Sequence, residues 1–379
     1  MTFTLTETQQ MVRETARKFA REHLAPGAIH RDEHEEFPAD AIRELAGLGF
    51  MGMMVPEQWG GIGMDTVSYI LAMEEIARVD ASVAVIMSVH NSLACGGVYS
   101  TGTEEQKNRY LRDLAAGRLL GAFALSEPEA GSDAANQHST AVRDGDSYVL
   151  NGIKSWTTSG SNAGLLIVMA ATDRSKGTKG ISAFLVEQGT KGLTVAKKEK
   201  KMGIRSSDTV ALAFADCRIP IANRLGEEGE GFKFAMKTLE AGRVGIAAQA
   251  VGLAQASLDA SLKYARERKA FGKTLGEFQA IQLKLAEMAT AVDAARLLMM
   301  RAASLKDQGR PFGTEASMAK LFASRTAVKN SLEAIQIHGG YGYVQEYQVE
   351  RFLRDAKVTE IYEGTSEIQK LIIARSLLK

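Results

Sequence analysis

Read from the N-terminus, the chain changes its hydrophobic period twice. Up to about Leu119 apolar residues recur at helical spacing, and the segments open on recognisable start signals. These are Thr6 with Gln9, Pro38 at a first helical position, Asp65, Asp80, and Thr103 with Gln106. From Gly121 to about Gly226 the runs become short or alternating: Tyr148 to Leu150, Ile181 to Val186 and Val210 to Phe214, with turn residues such as Asp144 to Asp146 between them. Leu165 to Ala171 is apolar throughout and too short to cross a membrane, so it reads as a buried strand. After Gly231 long helical periodicity returns through Ile246, Val251, Leu253 and Leu258, and then from Ile281 to Met299, as in a bundle. The pattern predicts an α+β chain in three parts: helical over 1–119, β over 120–227 and helical over 228–379. No internal repeat or low-complexity segment interrupts it.

Composition narrows the function classes without choosing one. The chain has 379 residues, 45% of them hydrophobic and 24% charged, ordinary proportions for a globular protein large enough for two or three domains. Lys plus Arg number 46 against 45 Asp plus Glu, a balance that offers no general attraction to nucleic acid or to an anionic membrane. The basic run Lys197 to Lys201 is broken by Glu199 and reads as a solvated loop face. Cys95 and Cys217, the two cysteines, lie far apart and outside any CxxC pattern, which disfavours a disulfide framework or a cysteine zinc site. With no secretory or transit pattern at Met1 to Glu7 and no membrane-spanning run, the expected location is the cytoplasm. Neither G-x-G-x-x-G after a strand nor a Walker A loop is present, so a Rossmann or P-loop nucleotide site is not supported.

The richest chemical signal is Ile361 to Gln369, which sets the carboxylate of Glu363 beside Gly364 and just ahead of a helix start. Ser366 with Gln369 fits a capping box, and Ile368, Leu371 and Ile372 follow at helical spacing. Taken alone, Glu363 could be a catalytic base or a carboxylate that complements the helix dipole. His30 and His34 stand four apart but lack the H-E-x-x-H pattern and sit in a polar run, and His338 is a lone helix-end histidine. No metal site is expected.

The same nonapeptide resembles the C-terminal signature of the acyl-CoA dehydrogenases, and four other segments resemble that family in order and spacing. Phe123 to Asp133 is similar to its flavin loop, Asn151 to Thr158 to the strand that follows, and Arg266 to Gly272 and Gln336 to Gly340 to its two FAD-holding segments across a subunit interface. The resemblance runs from about Thr4 to the end. It implies an N-terminal all-α domain, a central β-barrel or sandwich domain and a C-terminal four-helix bundle, with FAD as cofactor and a homotetramer as the assembly. Carried over by matched position, Phe123, Leu125, Ser126, Gly131, Ser132, Trp156, Thr157 and Thr158 would meet the flavin. Arg268, Phe271, Gln279, Gln336, Gly339, Gly340, Thr365 and Glu367 would hold the rest of FAD, with Arg268 on the pyrophosphate. Ser132, Glu240, Arg243 and Gly364 would contact substrate, and Glu363 would be the base. Some members carry that base at the position matched here by Gly242. Glu129 departs from the family pattern, which usually has a small residue there.

The implied reaction is α,β-dehydrogenation of an acyl-CoA thioester, with electrons passed to an electron-transfer flavoprotein. Ile86 to Leu93, Lys201 to Arg205 and Glu240 to Arg243 look most like the short-chain, butyryl-CoA-type members. Branched short acyl groups such as isobutyryl or 2-methylbutyryl stay open, as does an oxidase that reduces oxygen. A nucleic-acid-binding relative of the fold is disfavoured by the balanced charge.

Overall fold

The helix-start signals act as the sequence suggests in the computed structural model, which describes residues 4–378. The N-terminal part holds α1 (Glu7–Phe19), α2 (Ala28–His34), α3 (Ala39–Gly47), α4 (Thr66–Ala77), α5 (Ala81–Ser88), α6 (Gly96–Thr101), α7 (Glu104–Gln106) and α8 (Arg112–Ala115). Thr6 and Thr103 close capping boxes with Gln9 and Gln106, and Asp65 and Asp80 accept from the first-turn amides of α4 and α5. Pro38 stands one position earlier than expected. A tight turn in which the Ala39 N–H donates to Phe37 O holds Pro38 at ψ 55°, outside the helical region, so it precedes α3.

Val89–Cys95 joins α5 to α6 as a π-helical stretch. The resulting rod, Ala81–Thr101, is long and apolar enough by composition to cross a membrane, a run the sequence reading did not pick out. It is a core helix: 94% of that window lies buried inside the protein, which is why it is apolar on every side.

The middle part holds β1 (Gly121–Ala124), β2 (Thr140–Asp144), β3 (Ser147–Thr158), β4 (Leu165–Ala171), β5 (Ile181–Glu187), β6 (Leu193–Lys198), β7 (Thr209–Pro220) and β8 (Arg224–Leu225). They form one connected sheet in the order β6-β7-β3-β2-β4-β5-β8, with β1 beside β4. Strand β4 is the fork: parallel to β1 along Leu165–Val168, parallel to β2 at Ala171, and antiparallel to β5. Its unbroken apolar run follows from having two cores. Leu166, Val168 and Ala170 pack inside the β domain with Tyr148, Phe184 and Leu212, while Leu165, Ile167 and Met169 pack on the helices through Val98, Leu111 and Phe234. The basic run begins inside β6 rather than wholly in a loop, since Lys197 and Lys198 pair with Ala211 and Val210 while their side chains stay in solvent.

The C-terminal part holds α9 (Gly231–Glu267), a small hairpin of β9 (Lys269–Ala270) and β10 (Lys273–Thr274), α10 (Gln279–Asp307), α11 (Gly313–His338), α12 (Val349–Thr359) and α13 (Ser366–Leu377). Helix α9 packs against α10, α11 and α12 as a bundle and also against α4 and α5. One apolar core therefore runs from the N-terminal helices, through Ile70, Met73 and Ile86, into the bundle at Val251, Met288 and Phe352. His30 and His34 stack on α2 in solvent, and no group of His, Cys, Asp and Glu among the described residues is arranged to hold a metal. Both cysteines are buried and unpaired.

Candidate active site

Between the end of α12 and the start of α13 the chain makes a turn with two consecutive left-handed residues, Glu363 at φ 52° and Gly364 at φ 94°. Glycine suits such a backbone, whereas glutamate in it costs of order 1–3 kcal/mol and needs support from its surroundings. The support is visible. Gln369 Nε2 donates to Glu363 O at 3.2 Å and to Gly364 O at 2.8 Å, and Tyr362 donates its hydroxyl to Gln249 Oε1. The expected Ser366–Gln369 capping box is therefore not formed. Thr365 caps α13 instead, its Oγ1 accepting from the Ile368 N–H, because its extended backbone (φ −58°, ψ 163°) puts it one residue ahead of the first helical position.

The Glu363 carboxylate turns inward, away from the amides of α13. Neither oxygen has a hydrogen-bond partner and both are inaccessible to solvent, so the carboxylate does not serve as a helix cap. Burial pushes its pKa up to about 7, with Lys320 and Arg243 pulling it back down. Room for it comes from Gly242 on α9, where an added Cβ would lie 2.1 Å from Glu363 Oε2. The two positions at which the family carries its base thus face each other across one small space. Apolar side chains from three regions close around it: Val85, Val89 and Leu93 from the N-terminal rod, Phe123 and Ile204 from the β domain, and Leu239, Ile246 and Tyr362 from the C-terminal part.

A second group forms on the β domain. A bulge in the β3–β7 ladder between Lys154 and Thr157 puts Trp156 at φ 60° and turns its indole out to 62% exposure. A core tryptophan is thereby excluded. Thr157 is buried with an unpartnered hydroxyl, and Thr158 is half-buried at the strand end. The Ser155 N–H donates to Ser126 O at 2.8 Å and ties this edge to the loop after β1; Phe123 on β1 and Leu125 and Ser126 on the loop are all half-buried. Gly131 and Ser132 sit exposed further along that loop. Glu129 is accommodated at the outside of a tight turn closed by Glu127 and Ala130, with His138 Nε2 at 3.5 Å.

A third group lies at the far end of the bundle. Arg268 stacks over Tyr341, and with Tyr264, Gly339 and Gly340 it lines an open cleft of about 740 Å³. Phe271 protrudes from the β9–β10 hairpin at 95% exposure, and Gln279 and Gln336 are exposed nearby in sequence to these segments. His338 is buried, stacked on Tyr264 and bonded to Ala334 O, which is a structural setting. Among the described residues no hydrogen bond or ion pair joins this cleft to the Glu363 or Trp156 groups. Thr365 and Glu367 lie at the α13 terminus. Glu240 is half-buried where α9 meets Gly313, and Arg243 is buried with its Nε unpartnered.

Sequence reasoning missed three contributors. Lys154 and Glu127 form a wholly buried ion pair of 2.7 Å beneath the flavin-like loop. Burial raises the Glu127 carboxyl, but Lys154 and bonds from the His138 and Ser139 amides outweigh it and hold the group below its usual range. Both residues lie inside the segments already singled out. The third is Lys320 on α11, fully buried against the Glu363 turn. Its signal was a lysine on a face otherwise made of Ala316, Ala319 and Ala323.

A carboxyl whose pKa burial pushes up to about 7, set beside an apolar cluster and without a hydrogen-bond donor, has the properties that a general base needs. The three family domains match along the chain: Acyl-CoA dehydrogenase N-terminal domain over 6–118, middle domain over 122–217 and C-terminal domain over 229–378. The chain belongs to the acyl-CoA dehydrogenase family. It is therefore an FAD-dependent oxidoreductase, with the three-domain fold of that family. The rat short-chain specific mitochondrial acyl-CoA dehydrogenase is 53% identical over 375 residues, 99% of this chain and 91% of that one. Butyryl-CoA dehydrogenase from Megasphaera elsdenii superposes with a TM-score of 0.99 at 47% identity, covering 100% of both chains. A chain from a structure of the electron transferring flavoprotein of Acidaminococcus fermentans gives the same values. The residues of this acyl-CoA dehydrogenase fit a flavin: an outward indole plane, an orphaned buried hydroxyl at Thr157, and a cleft with Arg268 beside two glycines.

Proposed function

We propose that the protein removes two hydrogens from the α and β carbons of a short-chain acyl-CoA, about four carbons long, to give the trans-2-enoyl-CoA. The observation that carries this reading is the buried, partnerless carboxylate of Glu363 set into the space opened by Gly242. Glu363 removes the α-proton, a role matched to a carboxyl whose pKa burial pushes up to about 7. FAD, when bound, accepts the β-hydrogen with its electron pair. The Glu363 N–H donates to no protein acceptor among the described residues and is free to hold the thioester oxygen as negative charge develops there. Arg243 and Glu240 on α9, with Gly364 and Ser132 on their loops, would contact the substrate. The apolar cluster of Val85, Val89, Leu93, Ile204 and Ile246 is compact, in keeping with a small acyl group.

Phe123, Leu125, Ser126, Gly131, Ser132, Trp156, Thr157 and Thr158 would hold the flavin ring, with the Trp156 indole as its covering plane. Arg268, Phe271, Gln279, Gln336, Gly339 and Gly340 reach the FAD of a neighbouring subunit, which accounts for a cleft far from Glu363 within one chain. Thr365 and Glu367 serve its nucleotide half. Exposed Leu283, Leu297, Phe322 and Leu332 on α10 and α11 supply apolar surface for a homotetramer. The electron acceptor is an electron-transfer flavoprotein, as the resemblance of the whole chain to the Acidaminococcus structure supports. Anaerobic titration of the purified yellow protein with butyryl-, isobutyryl- and octanoyl-CoA tests the substrate. Highest kcat/KM with butyryl-CoA is expected; highest efficiency with octanoyl-CoA overturns the chain length, and no bleaching by any ester overturns the reaction.

A further inference from the structure

Lys320 packs against the turn that carries Glu363, and it has no part in the chemistry described above. Its side chain is completely buried on α11, on the face it shares with the buried Ala316, Ala319 and Ala323. Its ammonium donates to Gly364 O at 2.6 Å, the carbonyl that also accepts from Gln369 Nε2. That carbonyl follows the two left-handed residues, so the bond is made to the strained part of the turn itself.

We propose that Lys320 is a positioning residue for the catalytic carboxylate: it locks the Glu363–Gly364 turn through Gly364 O and sets the charge environment in which Glu363 gains and loses its proton. This rests on Glu363 being the base, as argued above. Burying an ammonium is costly, and a fully buried lysine is expected only where charge or hydrogen bonding repays part of that cost. Here the counter-charge is Glu363, whose two oxygens accept from no donor. Burial pulls the Lys320 ammonium down to about 8, with Glu363 opposing that fall. The other groups facing this pair are Arg243 from α9, Tyr69 from α4, and Tyr362, Glu360 and Glu367 from the turn and its flanks. Arg243 is the second cation, and Glu360 and Glu367 favour the charged lysine.

The direction of the effect follows from the charges. Lys320 stabilises the Glu363 anion, so deleting its charge raises the Glu363 pKa and moves the acid limb of the pH–rate profile to higher pH. Opposite charges within a few ångströms shift carboxyl pKa values by about 1 to 3 units.

The test compares the holoprotein with Lys320→Met, Lys320→Gln and Lys320→Arg. The rate of anaerobic flavin bleaching by butyryl-CoA is followed against pH, alongside an infrared titration of the Glu363 carboxyl in the absence of substrate. Glu363→Gln identifies the band. Lys320→Met and Lys320→Gln are expected to move both the limb and the carboxyl titration upward by about one unit or more and to lower the limiting bleaching rate with the half-saturating butyryl-CoA concentration little changed. Lys320→Arg, which keeps the charge and a donor, is expected to stay near the parent. An unmoved limb and titration in either uncharged variant, with FAD content and oligomeric state intact, overturns the proposal. Lys320→Gln, which can still bond Gly364 O, serves if Lys320→Met does not fold. Absence of bleaching in the parent would instead overturn the dehydrogenase reading, while the infrared arm still reports on Lys320.

Discussion

Glu363 combines three properties that conflict with ordinary protein stability: a left-handed backbone, a buried acid and no hydrogen-bond donor on either oxygen. Such conflicts concentrate where a group has a task other than holding the fold. Two expectations belong to this scale. Because the carboxyl must be ionised to accept a proton, bleaching should rise as pH increases through about 7 and level off above it, provided flavin and fold are unchanged. A flat profile from pH 5 to 9 would contradict this. Gly242→Ala should place a methyl group 2.1 Å from the present position of Oε2 and push the carboxylate aside. A misplacement near 1 Å costs about a hundredfold in rate, so stopped-flow bleaching should slow by that order while FAD content holds. The nonapeptide singled out Glu363 but left it open between a base and a helix-dipole carboxylate, a choice that turns on where the carboxylate points. Its cap was read one residue late, because Ser and Thr are equivalent capping residues in sequence and only the extended backbone of Thr365 decides between them.

Secondary structure was readable wherever one period dominates an element. Strand β4 was visible as seven apolar residues, but that it faces two different cores appears only when the helices pack on its outer side. The rod Ala81–Thr101 passes for a membrane helix by composition alone, since burial on all sides removes the amphipathic signal. The bulge that presents Trp156 is a register shift against β7, a partner over 50 residues away in the chain, and no local pattern announces it. Below that bulge, the Lys154–Glu127 pair clamps β3 to the loop after β1 that holds Leu125 to Ser132. Lys154→Met should leave Glu127 buried without its partner and destabilise the protein by about 3–5 kcal/mol. Equilibrium unfolding in urea of Lys154→Met against the parent measures it, with FAD loss expected to accompany the change. A difference below about 1 kcal/mol would mean the loop is held by its backbone bonds alone.

At the scale of the molecule, the three-part periodicity agrees with the helical, β and helical domains of the family. The groups carried by Arg266 to Gly272 and by Gln336 to Gly340 could be placed together at one cleft, yet nothing in a single chain brings them to Glu363. In the function proposed above that step depends on a second copy, which intrachain pattern does not reveal. Arg268→Ala should accordingly weaken FAD retention and make it depend more steeply on protein concentration, because the cofactor and the assembly are then coupled by mass action. FAD release followed by gel filtration over a range of concentrations checks this, and unchanged retention in an intact oligomer would remove Arg268 from the site.

The most direct measurement is anaerobic stopped-flow absorbance of the flavin after mixing butyryl-CoA with the parent and with Glu363→Gln. The amide keeps the shape of the side chain in the space beside Gly242 but cannot accept the α-proton. Rapid bleaching of the parent and a loss of several orders of magnitude in the variant, with FAD content and acyl-CoA binding retained, is the predicted result. Bleaching of Glu363→Gln at a rate near the parent's would contradict it and place the base elsewhere.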